Sequence, residues 1–291
     1  MLSLRECIKE AEKKGVAIGH FNISNLEAFH AIYNAAKKLK VPVIIGVSPG
    51  EESFVGLEET VALVHALREK DNYPIFLNAD HHVSFESVKK CIDAGFDAVI
   101  IDLAKLSFEE NIKITKECVE YAKKTRAETG RDILVEGELG YIGSGSDIKD
   151  TIPEGAGILT KPEEAQKFVE MTGIDMLAPS VGSIHGLIKS GKPHIDGELV
   201  SQIKKTTGIP LVLHGGSGLR DEDFTNAIVS GVSIVHINTE IRVAYDEALK
   251  KSLVDHPNET TPYKILQPVV DAIEKIVEER LKLFNGMQEN F

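Results

Sequence analysis

Eight short apolar runs, rich in β-branched residues or leucine, alternate with amphipathic stretches along this chain. Runs of this kind, bounded by polar residues or glycine, are typical of buried parallel strands, because both faces of a parallel sheet are covered. The sequence therefore predicts eight strands. They are Val16–Phe21, Val41–Val47, Ile75–Ala79, Ala98–Ile101, Ile133–Leu139, Met176–Pro179, Leu211–Leu213 and Ile234–Ile237.

Amphipathic helices are predicted between the strands. In the first, apolar residues recur at positions 28, 29, 32, 35, 36 and 39, which is the helical period. Pro162 stands in a first-turn position, and glycines follow several of the runs, where a left-handed residue ends a helix. The predicted helices are Leu26–Lys38, Leu57–Glu69, Phe85–Ala94, Glu109–Thr129, Pro162–Thr172, Asp196–Thr207, Glu222–Ser230 and Glu240–Leu253.

Eight alternating strand–helix units predict an α/β fold with a parallel sheet and right-handed crossovers. Eight units favour a closed (β/α)8 TIM barrel over an open doubly wound sheet, and 291 residues fit one such barrel. No linker divides the chain, so residues 1–291 are predicted to form a single barrel domain. Its C-terminal helical extension, residues 263–284, is expected to pack on the barrel or on another subunit. The long loop Gly140–Leu159 is expected to be functional.

The net charge of −12, from 33 basic and 45 acidic residues, argues against a nucleic-acid binder and against an anionic membrane surface. It does not exclude a phosphorylated substrate, because one pocket can be locally positive. No apolar run approaches the ~20 residues of a membrane span, and no N-terminal stretch resembles a signal peptide. Cys7, Cys91 and Cys118 lie too far apart to imply a disulfide framework or a zinc knot. A reducing, cytoplasmic compartment is expected.

Polar and ionisable residues gather where the predicted strands end. In a barrel these ends meet at one rim, where catalysis takes place. His81, His185 and His214 follow three different strands, and three neutral imidazoles with an open fourth position make a catalytic zinc site. A lone histidine is more often a hydrogen-bonded structural residue, but three at one predicted rim favour a metal site.

Asp80 directly precedes His81. On a regular strand the two side chains point to opposite faces, so both can face a site only if the strand has ended there. The alternative role of Asp80, a helix cap, is better filled by Ser84. An acid beside a metal ligand is well placed to move a proton.

Two turns after neighbouring strands predict a phosphate site. Glycines let backbone N–H groups approach an anion, and a helix start favours negative charge. A phosphate between the loops after strands seven and eight is a recurrent barrel arrangement. Lys189 is either an ordinary surface lysine or a cation for the same phosphate. The residues of the two turns are Gly215, Gly216, Ser217, Asn238 and Thr239.

Six stretches of the chain resemble the zinc-dependent class II aldolases, the family of fructose- and tagatose-bisphosphate aldolases. The Asp-His-His sequence is closer to the tagatose-bisphosphate branch than to the main glycolytic one. In chain order the stretches are HFNISNLEA (20–28), PVIIGVSPG (42–50), ADHHVSFESVKKCIDAGFDAVIID (79–102), VEGELG (135–140), VGSIHG (181–186) and LVLHGGSG (211–218).

The resemblance implies a metal centre. It implies that His81, His185 and His214 bind a catalytic Zn²⁺ ion, with another divalent metal as the alternative. It implies that Asp80 donates or accepts a proton at the aldehyde half of the substrate. Glu138 would either contact the ligating histidines without touching the metal or serve as an alternate metal ligand.

The resemblance also implies a substrate pocket. Gly186, Gly215 and Ser217 would hold a phosphate, with a monovalent cation nearby. Asn22 and Ser48, which lie in the first two resembling stretches, are expected to contact the substrate.

The family's loop glutamate, which acts as the base at carbon, is missing. The matching place reads GSGSD at 143–147. Asp147, Asp150 or Glu154 would have to replace it, and Asp147 is the residue we predict.

Two further departures touch the substrate pocket and leave the three histidines unchanged. After strand four the chain has DLAK at 102–105 instead of a small polar turn. At the place of a substrate-binding asparagine it has His236, and Asn238 stands two places later.

The leading hypothesis is a metal-dependent aldolase that reversibly cleaves fructose 1,6-bisphosphate, or tagatose 1,6-bisphosphate, to dihydroxyacetone phosphate and glyceraldehyde 3-phosphate. A metal ion acting as a Lewis acid would stabilise the enediolate. The alternatives are a changed phosphorylated sugar, a Schiff-base aldolase that uses Lys105, and a non-catalytic barrel that binds metal and phosphate. A homodimer or homotetramer is also expected, with the C-terminal helix at its interface.

Overall fold

Eight parallel strands close into a barrel, as predicted. In the computed structural model, which describes residues 1–191 and 193–287, the barrel strands pair in chain order and the last pairs with the first. At this closing seam His20 stands opposite His236. The barrel strands are β1 (Ile18–Asn22), β2 (Val43–Val47), β3 (Ile75–His82), β4 (Ala98–Ile101), β5 (Leu134–Leu139), β7 (Met176–Pro179), β9 (Leu211–Leu213) and β10 (Val232–Ile237). Two short strands, β6 (Ile148–Lys149) and β8 (Leu187–Ile188), form a separate parallel pair.

The predicted helices all form, with ends that differ by at most two residues from the prediction. Glycines in the left-handed region end several of them, including Gly95 after α5 and Gly173 after α7. The helices are α1 (Leu4–Lys14), α2 (Leu26–Leu39), α3 (Pro49–Val55), α4 (Leu57–Asp71), α5 (Phe85–Ala94), α6 (Phe108–Thr129), α7 (Pro162–Thr172), α8 (Gly197–Thr207), α9 (Asp221–Val229), α10 (Thr239–Asp255) and α11 (Pro262–Phe284).

The amino-terminal helix α1, which was not predicted, plugs one end of the barrel. It begins with a capping box in which Ser3 and Glu6 cap each other. Its buried residues follow the helical spacing and pack against residues near the amino ends of the strands. This apolar cluster contains Leu4, Cys7, Ile8, Ala11, Ile18, Ile44, Phe76, Ala98, Leu134, Met176, Ala178, Val212 and Ile234.

Two segments near the opposite end also differ from the prediction. Residues 49–55 form the short helix α3, and Ser48 before it donates its backbone N–H and its hydroxyl to Glu51, each at 2.8 Å. The loop Gly140–Leu159 is partly ordered by the β6–β8 pair. Lys149 Nζ donates to the carbonyl oxygen of His185 at 2.6 Å. The loops after β5 and β7 are therefore joined.

The C-terminal helix α11 packs on its own chain, against α2 and α10. One face of the helix is buried there, which agrees with the expectation that it packs on the barrel, and its role in association stays a prediction. The buried residues are Val269, Ile273, Val277, Leu281, Leu283 and Phe284.

The exclusions drawn from composition can be compared with the structure. Over the part of the chain that the structure describes, no helix has the length and apolarity needed to cross a bilayer. Cys7, Cys91 and Cys118 are all buried and none is in a disulfide.

Candidate active site

The end of β3 carries two consecutive side chains into one cavity. The pairing of β3 with β4 shifts register between Ala79 and His82, so Asp80 and His81 lie at an irregularity of the strand. His81 has a φ of 52°, in the left-handed region that a residue with a side chain rarely adopts. Both side chains therefore line the cavity at the barrel rim. The strand does not end here, as the sequence suggested, but bulges and continues to His82.

Three imidazoles from three strand ends meet in this cavity. Nδ1 of His214 lies 3.0 Å from Nε2 of His81. The ring of His185 packs edge-on against His81, with centroids 4.7 Å apart. One nitrogen of each ring lies within 4.8 Å of the other two. The structure thus brings the predicted trio together at a spacing compatible with one metal ion.

Carboxylates hold the outer nitrogens of two of these imidazoles. Asp102 Oδ2, after β4, lies 3.0 Å from His81 Nδ1. Glu136 Oε1, on β5, lies 2.7 Å from His214 Nε2. A carboxylate on one ring nitrogen fixes the tautomer and directs the other nitrogen's lone pair at a metal. Glu138 points into the same lumen, and its buried Oε2 has no hydrogen-bond partner among the described residues.

This crowding of charge shifts several pKa values. Burial alone disfavours the charged imidazole, but the Asp80 carboxylate, the Asp102 hydrogen bond and Glu138 outweigh it and raise the pKa of His81 to about 10. Burial, reinforced by Asp102, raises the pKa of Glu138 to about 8. Burial and the neighbouring imidazoles keep the pKa of His185 well below its usual value. A bound cation would favour the charged carboxylates and the neutral imidazoles together.

An amide network holds Asp80. Asn22 Nδ2 donates to Asp80 Oδ2 and to Glu51 Oε2, each at 2.8 Å. The buried Glu51 also accepts from Asn238 at 3.3 Å and from Arg242 at 2.7 Å. The second oxygen of Asp80, Oδ1, is buried without a well-formed hydrogen bond within residues 1–191 and 193–287, and it lies 3.4 Å from Nδ1 of His236. Asp80 is therefore fixed in place with one oxygen left to exchange a proton.

Two further imidazoles stack beside Asp80. The rings of His20 and His236 lie 3.5 Å apart and nearly parallel, and His236 in turn lies 4.0 Å from the ring of His214. Burial lowers the pKa of His20 to about 4, and burial and its neighbours keep the pKa of His236 well below its usual value. Both rings are neutral near pH 7. His236 is thus an uncharged wall of the cavity.

The glycine-rich turns form another wall of the same cavity. Gly215 has a φ of 65°, and a Cβ there would lie 2.8 Å from the carbonyl oxygen of Ile184. A Cβ on Gly216 would lie 2.8 Å from the carbonyl oxygen of His236, so the backbone approaches closely only because both residues are glycine. Helix α10 begins at Thr239, in the same wall. The predicted substrate-binding residues that line this cavity are Asn22, Gly186, Gly215, Gly216, Ser217, His236, Asn238 and Thr239.

A wider cavity of about 480 Å³ adjoins the first and shares Asp80, His81 and His185 with it. Ser48 and Asp147 line this outer cavity, as does Lys105, whose Nζ lies 5.1 Å from the ring of Tyr141. Asp147 therefore opens onto the same cavity as His81 and His185.

Lys189 and two of the candidate acids lie elsewhere. Lys189 Nζ pairs with Asp150 at 2.9 Å, and both side chains are exposed. The cause is the pairing of β8 with β6, which places Lys189 beside Asp150. Glu154 is exposed and lines neither cavity. The structure thus does not place Lys189 at the phosphate turns, which corrects the sequence-based expectation.

Several site residues were missed. The sequence gives no signal that Asp102 and Glu136 are the partners of His81 and His214. Glu51 was missed, although Ser-Pro-Gly-Glu at 48–51 fits the S-x-x-E capping pattern. Arg242 was also missed, although it follows Asn238 by four residues and shares its helix face.

A closed parallel barrel with acids and imidazoles gathered at the carboxyl rim is the arrangement of (β/α)8-barrel enzymes. The sequence profile described as "Fructose-bisphosphate aldolase class-II" matches residues 2–289. The chain belongs to this family and is a class II aldolase, a carbon–carbon lyase of a metal-dependent family.

Individual relatives agree with the family match. The fructose-bisphosphate aldolase of Geobacillus stearothermophilus is 42% identical over 98% of this chain and 97% of that protein. A probable fructose-bisphosphate aldolase of Bacillus subtilis is 40% identical over 99% of each. The crystal structure of the YdjI aldolase from Escherichia coli K12 has a TM-score of 0.82 at 30% identity, covering 99% of this chain and 100% of that one.

Proposed function

We propose that this aldolase reversibly cleaves fructose 1,6-bisphosphate, or its epimer tagatose 1,6-bisphosphate, to dihydroxyacetone phosphate and glyceraldehyde 3-phosphate. One observation carries the proposal: a single cavity is lined both by Asp80 with the three imidazoles and by the glycine turns at the start of α10. Together with the adjoining cavity of about 480 Å³, it would hold a phosphate at the glycine turns and the reacting carbons beside Asp80. The names of the relatives support a fructose bisphosphate substrate.

We propose zinc as the metal, with another divalent ion as the alternative. The donor set fits, because three ring nitrogens converge and carboxylates hold two of the rings from behind. His81, His185 and His214 would hold the ion, and Glu138 is placed to become a further ligand. When bound, the ion supplies Lewis-acid stabilisation of the negative charge that develops at the ketone oxygen.

Two acids are proposed to move protons. Asp80 takes the proton of the hydroxyl whose carbon becomes the aldehyde. The carbon–carbon bond breaks at the same time, and its electron pair stays with the fragment that becomes dihydroxyacetone phosphate. The carbon of that fragment must then gain a proton. Asp147 is proposed for this step because it lines the outer cavity, whereas Asp150 is paired with Lys189 at the surface.

The phosphate of the dihydroxyacetone phosphate fragment is proposed to bind at the glycine turns. Gly186, Gly215 and Gly216 allow close approach to the backbone, and the start of α10 at Thr239 favours an anion. Ser217 adds a hydroxyl donor. The expected monovalent cation stays a prediction.

The proposal is tested by assaying cleavage of fructose 1,6-bisphosphate and tagatose 1,6-bisphosphate before chelation, after chelation and after zinc is returned. Chelation should abolish cleavage and zinc should restore it, and the ratio of the two rates assigns the sugar. His185→Ala should resemble the chelated enzyme, whereas Lys189→Ala should match the wild type. Absence of cleavage of both sugars with zinc bound would contradict the proposed substrate. Borohydride trapping of an adduct on Lys105 would favour a Schiff-base mechanism instead.

Association and compartment stay predictions. Since one face of α11 is buried against its own chain, a homodimer or homotetramer that uses this helix would have to use its exposed face. The mass in solution, measured by light scattering, decides whether the chain associates. The cytoplasmic compartment is likewise still an expectation from cysteine usage and charge.

A further inference from the structure

Three chemically different donors converge one residue beyond His81, outside the cavities described above. They are the carboxylate of Glu52 on α3, the imidazole of His82 at the end of β3 and the thiol of Cys91 on α5. Cys91 Sγ lies 3.4 Å from Glu52 Oε2 and 3.6 Å from His82 Nε2. His82 Nε2 lies 3.4 Å from Glu52 Oε2. The three atoms form a nearly equilateral triangle.

This cluster is largely removed from solvent. Cys91 is 0% exposed and His82 is 2% exposed, and only the Glu52 side chain, at 20%, reaches water. The second ring nitrogen of His82 is buried without a hydrogen-bond partner over the described ranges. Burying an acid, an imidazole and a thiol together is costly unless their polar atoms are satisfied.

The triangle has the dimensions of a zinc coordination sphere. Bonds of about 2.0–2.1 Å to nitrogen, 2.3 Å to sulfur and 2.0–2.2 Å to oxygen, at tetrahedral angles, separate the ligand atoms by about 3.3–3.6 Å. All three measured separations lie in this range. Hydrogen bonds among the three groups would also account for these separations, but they leave the second ring nitrogen of His82 without a partner among the described residues.

We propose that Glu52, His82 and Cys91 form a second metal site, separate from the three-histidine site, that binds zinc or a similar borderline ion. Thiolate, imidazole and carboxylate together match zinc and cobalt better than magnesium or calcium. The fourth position would be a water on the exposed side of Glu52. Metal binding breaks the S–H bond of Cys91, and the proton leaves to solvent.

The site would have a positioning role for the catalytic residues. It ties together α3, β3 and α5, and His82 directly follows the backbone-strained His81. Glu52 directly follows Glu51, which holds Asn22 and thereby Asp80. A bound ion would therefore restrain the segment from which His81 and Asp80 project, without touching the substrate.

Cobalt distinguishes the two sites, because only this one contains sulfur. Protein freed of metal is titrated with Co²⁺, and near-ultraviolet absorption is recorded with the bound cobalt per chain. The wild type should bind two ions and develop a thiolate-to-cobalt charge-transfer band. Cys91→Ser should lose the band and one ion. Cys118→Ser, which alters a cysteine equally buried on α6, should keep both.

Further variants keep this test independent of folding defects and of the proposed activity. His185→Ala should lose aldolase activity and keep the sulfur band, so failure of the proposed function would be seen separately. Glu52→Gln should weaken the band while the protein stays folded by circular dichroism. A wild type that takes up one Co²⁺ and shows no charge-transfer band would overturn the second site, whatever the variants do.

Discussion

The same strands bury apolar side chains at one end of the barrel and ionisable side chains at the other. At the amino end, α1 inserts Leu4, Ile8 and Ala11 among apolar side chains from the first residues of the strands. At the carboxyl end, the same strands deliver imidazoles and carboxylates into a buried cavity. Removing apolar surface from water at the amino end stabilises the fold. Burying polar and ionisable groups at the carboxyl end destabilises it.

The difference indicates where stability and function reside. At the carboxyl end His81 has a left-handed backbone, and Asp80 Oδ1 and Glu138 Oε2 are buried without hydrogen-bond partners in the described part of the chain. Each such feature costs on the order of 1–3 kcal/mol, and functional sites are where such costs concentrate. The apolar cluster beneath α1, by contrast, contains no charged side chain. Substitutions at the two ends should therefore have separable effects.

The largest effect is expected for Asp80→Asn. Loss of a general acid–base group should lower kcat by about 10²–10⁴-fold. The free energy of unfolding should be unchanged or higher, because a buried carboxylate is replaced by an amide that still accepts from Asn22. Steady-state kinetics and urea unfolding of the same preparation check both parts. Activity within tenfold of wild type would contradict the role of Asp80.

At the amino end, Ile8→Ala should reverse this pattern. Ile8 is 2% exposed, so truncation should lower the free energy of unfolding by about 2–5 kcal/mol. The kcat per folded molecule should not change, because α1 is far along the strands from the cavity. Val229→Ala, at a 78% exposed position, is the matched control and should stay within about 0.5 kcal/mol of wild type. An equal loss of unfolding free energy in both variants would contradict the stabilising role of α1 at the amino end of the barrel.

Glu136→Gln should have an intermediate effect at the carboxyl end. Glu136 fixes the tautomer of His214, and loss of such a partner typically weakens metal affinity by about 10–100-fold. Zinc competition with a chromogenic chelator measures this. Unaltered affinity would mean that His214 is held by other contacts.

The smallest effect is expected for Lys189→Ala. Its ion pair with Asp150 is exposed, and such pairs contribute about 0–1 kcal/mol. The KM for the sugar bisphosphate should also stay within twofold, because the ammonium does not face the glycine turns. A marked rise in KM would restore Lys189 to the phosphate site and contradict the placement described above.

The sequence allowed most of the fold to be predicted, since buried parallel strands leave short apolar runs and glycines mark helix ends. The three histidines could be predicted for the same reason, because strand ends converge in a barrel. Helix α1 was missed because it belongs to no strand–helix unit, although its Leu4, Cys7, Ile8 and Ala11 have helical spacing. The hydrogen bonds of Glu51 and the displacement of Lys189 depend on contacts across 29 to 191 residues of chain. Local patterns carry no information about such contacts.

The short β6–β8 ribbon joins the loop that carries Asp147 to the segment that carries His185. The backbone N–H of Leu187, two residues after His185, donates to the carbonyl oxygen of Asp147 at 3.0 Å. The backbone at Asp147 is therefore tied to the segment that holds His185. If binding of an ion by His185 is coupled to the ordering of this loop, thermodynamic reciprocity requires that each would strengthen the other by the same factor. The affinity for the substrate and the affinity for the metal would then change in the same direction.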